Sequence, residues 1–298
     1  MKLAAYKDGS RDGQLVVVSR DLTMAHYATD IASRLQQALD DWNFIAAQLQ
    51  DLYETLNGGK ARHAFPFDAA QCLAPLPRAY QWLDGRQRED QPHVFSQPGG
   101  ALLGARSPIC VPVAEELDFC AGLAAVTGDV PAGATREQGQ DAIRLLALVN
   151  AVSLPADDDD DEDGGAHIAA ALGPVAVTPD ELGAAWQDTR VHLTLGVAVN
   201  GRKLGLIDAS QMRWSFGDLI AAAARWRSLS AGAVVGSGAI PSADSVRGFA
   251  GLARKRAAER AQDGQPHTPW LQRGDTVRVE MKGVDGLLVF GAMEQVMQ

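Results

Sequence analysis

Residues 65–77 read FPFDAAQCLAPLP, and the three prolines in that stretch bar it from forming either a helix or a central strand. Such a segment suits a connection between folding units. It divides the chain into a small N-terminal domain, residues 1–72, and a larger C-terminal domain, residues 73–298. Of the 298 residues 46% are hydrophobic and 21% charged, which is chain enough for a sizeable core.

In the first domain, QLVVVS at residues 14–19 is a β-branched run behind Asp12-Gly13 and predicts a strand after a turn. From residue 31 to 56, Leu35, Leu39, Trp42, Ile45, Leu49, Leu52 and Leu56 recur at steps of three and four. That stripe predicts one helix with a packing face, ended by Asn57-Gly58-Gly59. In the second domain, residues 117–126 read as a strand, 136–152 carry helical spacing, and 216–226 read as an amphipathic helix. Residues 191–199 and 202–206 flank Asn200-Gly201, a pair suited to a two-residue hairpin turn. A second strand pair is expected from 276–281 and 287–290, across Asp285-Gly286. No fixed-period repeat is present, and the fold class is mixed α/β of the α+β kind.

The net charge of −10 misleads, because the seven acids of residues 157–163 (DDDDDED) leave only about −3 on the rest of the chain. No broad basic face exists for nucleic acid, and no apolar stretch is long enough to span a membrane. Cys72, Cys110 and Cys120 are widely spaced, with no C-x-x-C pair, so disulfides are not expected and a cytoplasmic location is. Asp159, Asp161, Asp163 and Gly164 match the first half of a calcium loop, but position twelve is Ala170, so the run reads as a solvated loop. Cys120 reads as a core residue, and Trp214 and Trp226 as packing residues. The H-E-x-x-H, P-loop and G-x-S-x-G motifs are all missing from the sequence.

Several peptides together are more specific: KDGSRDGQLVVVSRDL, ALDDWNFIAAQLQDLYETLN, HAFPFDAAQCLAPLPRAYQW, VTGDVP, PVAVTPDELG, GSG at 236–238, and GDTVRVEMK. On these the chain resembles the fumarylacetoacetate hydrolase family, in particular its longer bacterial members. The resemblance implies a small N-terminal domain ahead of a mixed β-roll that forms homodimers. It also implies Mg²⁺ or Ca²⁺ held by carboxylates, and hydrolysis of a carbon–carbon bond in acylpyruvates or related β-diketo acids of aromatic catabolism.

The same resemblance implies where the site residues should fall. Two glutamate ligands one residue apart correspond to Cys120 and Gly122, and a third carboxylate to Ala151. A nearby arginine position is Pro155. The substrate-facing lysine position is His167, with a threonine position three residues later at Ala170. The threonine after GSG corresponds to Ala239, and the glutamate that partners the catalytic histidine to Arg254. Between residues 83 and 117 the family segment that carries the catalytic histidine is shortened, which leaves His93 as its candidate relic. No family metal ligand is retained on this reading, and no cation is assigned. The expected function is therefore a catalytically silent family member, acting as a homodimer or beside an active paralogue. The alternative is an active hydrolase, lyase or decarboxylase with a relocated site, built from His93 with Glu115, Glu116 or Asp118.

Overall fold

A computed structural model of the chain describes residues 1–87, 90–111, 116–156, 165–242 and 244–298. Glu115 and the acidic run 157–163 lie outside the described residues. Strands β1 (Lys2–Tyr6), β2 (Gln14–Val18) and β3 (Met24–Tyr27) form an antiparallel meander, with Leu3 opposite Val17. The apolar stripe forms two helices, α1 (Leu35–Asp40) and α2 (Trp42–Asn57), because Asp41 leaves helical geometry (φ −114°, ψ 29°). Leu35, Leu39, Ile45, Leu49 and Leu56 still share one buried side. The proline-rich segment is not a loose spacer. Its β4 (Phe65–Pro66) is the outermost strand of the sheet, where a proline forfeits no ladder bond. Beyond it the Leu73 amide donates to the Ala5 carbonyl (2.9 Å) and Cys72 is buried against the core.

The larger part contributes β5 (Trp82–Arg86), β6 (His93–Gln97), β7 (Asp118–Thr127), α3 (Arg136–Asp141), β8 (Ile143–Ser153), β9 (His167–Leu172) and β10 (Ala176–Val177). Two-residue strands β11 (Trp186–Gln187) and β12 (Arg190–Val191) follow, then β13 (Thr194–Val199), β14 (Arg202–Asp208), α4 (Phe216–Ala223) and β15 (Val234–Gly236). The chain closes with α5 (Leu252–Asp263), β16 (Thr276–Met281) and β17 (Met293–Val296). Among the described residues, eleven strands make one sheet in the order β4-β3-β2-β1-β10-β8-β7-β15-β5-β6, with β9 also on β8. A second sheet runs β14-β13-β16-β17. The N-terminal strands thus continue into the larger part's sheet, joined where Lys2 pairs with Val177.

Further expectations fail in the larger part. The helix expected over residues 136–152 is only α3, six residues long, followed by the eleven-residue strand β8. In β8, Leu146, Leu148 and Val152 pack into a core shared with the second sheet, while Leu145, Ala147 and Val149 pack into the core under α1 and α2. Burial on both faces erases the alternation that marks a half-buried strand. Residues 287–290 form no strand; β16 pairs with β13 and β17, and Leu288 makes a single bridge to Lys282. Trp226 does not pack, because α4 ends at Ala223 and leaves its side chain 84% exposed. The Asn200-Gly201 hairpin forms as expected, with φ values of 50° and 71° at the turn. No described helix is long and apolar enough to cross a membrane.

Candidate active site

Period-two alternation places Asp118, Cys120 and Gly122 of β7 on one face, the same face on which Ala124 and Val126 pack into the core under the N-terminal helices. Across the sheet, Cys120 lies opposite Ala151, and Ala151 opposite Ala170 of β9. Ser153 lies between Asp118 and His167 in the next row. On the other flank β15 leads into Ser237, Gly238 and Ala239, after which Gly251 takes its place beside Cys120. These rows enclose a cavity lined by Cys120, Ala151, His167, Ala239 and Arg254, five of the positions the resemblance singles out. Ala170 and Pro155 do not line it.

Two carboxylates that the family comparison of residues left aside also line this cavity. Asp118, 4% exposed, accepts hydrogen bonds from the amides of Leu252 (3.0 Å) and Ala253 (3.2 Å). It thereby caps α5, whose own N-cap is Gly251 and has no side chain to do so. Burial pushes the Asp118 carboxyl up to about 6, against the lowering effect of those amides. Asp84 of β5 lies 3.3 Å from Nε2 of His167, with both side chains largely buried. The Nδ1 of His167 is sealed from solvent and finds no hydrogen-bond partner among the described residues. The pair thus couples a carboxylate of β5 to an imidazole of β9 on the cavity wall. In the sequence the only local hint of Asp84 is a carboxylate between Leu83 and Gly85 in the segment WLDGR.

Among the described residues no three His, Cys, Asp or Glu side chains gather closely enough to hold a metal ion. At Gly122 the obstacle goes beyond a lost ligand. A Cβ there would stand 2.5 Å from Oγ of Ser237 and 2.9 Å from the Gly238 carbonyl. Ser237 is fully buried and held in place, accepting from the Leu123 amide (3.1 Å) and donating to the Gly238 carbonyl (2.8 Å). The space left in the cavity amounts to about 30 Å³, room for one or two waters.

Of the relocated alternative's described residues only Asp118 lines this cavity. His93, on β6, is 3.0 Å from Gln91 and lines a separate groove against α4. Glu116 is exposed, two residues before β7, and does not line the cavity. Cys72, Cys110 and Cys120 form no disulfide among the described residues, and Cys120 is partly exposed on the cavity wall instead of closed in the core.

Known proteins place this architecture. Residues 1–78 match the fumarylacetoacetase N-terminal domain 2 and residues 71–297 the fumarylacetoacetate hydrolase C-terminal domain. Among curated proteins, none matches the chain. Among solved structures, maleylpyruvate hydrolase from Sphingobium sp. SYK-6, in complex with manganese(II) and pyruvate, superposes with a TM-score of 0.67 at 17% identity, covering 100% of this chain and 98% of that one. A probable 2-hydroxyhepta-2,4-diene-1,7-dioate isomerase from Mycobacterium abscessus gives 0.71 at 15% identity over 100% and 97%. Fumarylacetoacetate hydrolase from the psychrophile Exiguobacterium antarcticum gives 0.70 at 16% over 100% and 99%. The C-terminal match alone spans well over half of the residues, and with the mixed sheet and the cavity at its centre it makes this chain a member of the fumarylacetoacetate hydrolase family.

Proposed function

We propose that this chain is a catalytically silent member of its family, keeping the scaffold of a carbon–carbon bond hydrolase without its metal site or general base. The observation that carries the reading is Gly122, where a buried Ser237 hydroxyl fills the space a ligand side chain would enter. Cys120 on the same strand and Ala151 opposite it on β8 offer no carboxylate. Such a protein would act by association, as a homodimer or beside an active paralogue.

Thermal unfolding with Mg²⁺, Mn²⁺ and Ca²⁺ tests the reading, because a cation held only by the folded state raises the midpoint in a saturable way. No shift is expected up to millimolar metal. A saturable shift at micromolar metal, together with metal-dependent cleavage of an acylpyruvate, would overturn silence. The competing reading, an active hydrolase, lyase or decarboxylase with a divergent site, draws on Asp84, Asp118 and His167 around one cavity. Turnover abolished by His167→Ala would establish it.

A further inference from the structure

Strand β6 is the outermost strand on its side of the eleven-stranded sheet, and among the described residues no backbone hydrogen bond reaches its outer edge. Edge strands are commonly blunted by charge, a bulge or an internal proline. The strand HVFSQ carries no Lys, Arg, Asp or Glu and no bulge, its prolines Pro92 and Pro98 stand just outside it, and its register against β5 runs unbroken from Arg86–His93 to Trp82–Gln97. Beside it runs α4, and between the two lies a groove of about 630 Å³. Its helix side offers Ala221 and Ala222, small side chains that leave room, and it ends at the exposed Trp226. On the strand side Phe95 is 42% exposed.

The groove's charges are unequally engaged. Asp218 is occupied, accepting from the amide (2.9 Å) and hydroxyl (2.6 Å) of Ser215 and facing Arg136 at 3.4 Å. Arg225 lies 5.0 Å from the Trp226 ring centroid and has no ion pair among the described residues. The available charge is therefore positive and calls for an acidic ligand.

We propose that this groove takes an extended, acidic polypeptide segment that adds to β6 as a further strand. Its main chain would pair with the open edge, an aliphatic side chain would settle over Ala221 and Ala222, and a carboxylate would meet Arg225. A row of main-chain donors and acceptors repeating at strand spacing is matched by a peptide and not by a compact small molecule. The groove adjoins the Cys120 cavity, sharing Phe95 with its wall, and the proposal stands whether or not that cavity turns over a substrate.

The test selects a phage-displayed library of random decapeptides on the full chain, then measures the enriched peptides by titration. Enrichment of apolar-alternating sequences with an acidic residue is expected, with Kd in the tens of micromolar or tighter. N-methylation of alternate peptide amides should weaken binding about tenfold or more, since it removes the donors that face β6. Ala222→Glu, which fills the groove and repels the acid, should do the same, as should Trp226→Ala, with unfolding midpoints checked to exclude misfolding. Several outcomes would overturn the proposal: no enrichment, equal binding of the N-methylated peptide, or undiminished binding to both variants. A dimer in sedimentation that Ala222→Glu dissociates would assign the groove to a second copy instead.

Discussion

Asp118 is a carboxylate whose folded-state affinity for a proton exceeds its unfolded one, since burial pushes it up to about 6 from an ordinary value near 3.8. The folded state therefore binds more protons between those values, so this group's contribution to stability is greatest below about pH 4, falls as pH rises towards 6, and is flat above. A shift of that size corresponds to on the order of 3 kcal/mol. Asp118→Asn keeps an acceptor for the Leu252 and Ala253 amides but removes the charge, so the unfolding midpoint should lose this slope between pH 4 and 6. A slope unchanged in the variant would place the titration elsewhere. At Gly122, substitution by Glu should cost on the order of 1–3 kcal/mol, because the new Cβ meets the Ser237 hydroxyl. Combined with Ser237→Gly, the loss should shrink, and a double-mutant cycle on unfolding midpoints would read the coupling. Cys120, Ala151, His167, Ala239 and Arg254 could be picked out in the sequence only through resemblance, since none has a spacing that marks a site. Asp84 was hidden because its partner His167 lies far along the chain and is joined to it only by the sheet.

Local chemistry was most readable where it acts alone. The Asn200-Gly201 turn needs positive φ at both residues, a requirement the dipeptide itself meets. Gly201→Ala should accordingly cost about 1 kcal/mol through left-handed strain, measured as a lower midpoint with the fold intact. The short helix α3 depends similarly on its capping box, in which Thr135 and Gln138 satisfy each other's amides. Thr135→Ala should cost roughly 0.5–2 kcal/mol in the same assay. Where tertiary burial overrides local pattern, the sequence misleads. The apolar run of β8 reads equally as helix or strand, and only the cores on both of its faces decide. The end of β16's hairpin was misjudged for a related reason: Asp285-Gly286 is a turn, but the strand that completes the sheet begins at Met293.

The proline-rich segment does change the chain's direction, yet the sheet passes across it without interruption, from β1 to β10 and on through β8 to β7. Leu3, Leu15 and Val17 share a core with Ala124, Val126 and Leu145 from the larger part. A fragment of residues 73–298 would bare that core and the edge of β10, so it should aggregate or remain without near-UV dichroism; a soluble, cooperatively melting fragment would contradict this. Strand β8 holds the two parts together, since Leu146 pairs with β10 while residues from Val149 onward pair with β9, and β7 lines its other edge throughout. Its amides can meet solvent deuterium only when both parts open at once. Their exchange should then be the slowest in the molecule and report the free energy of global unfolding, even while the helices above exchange through smaller openings.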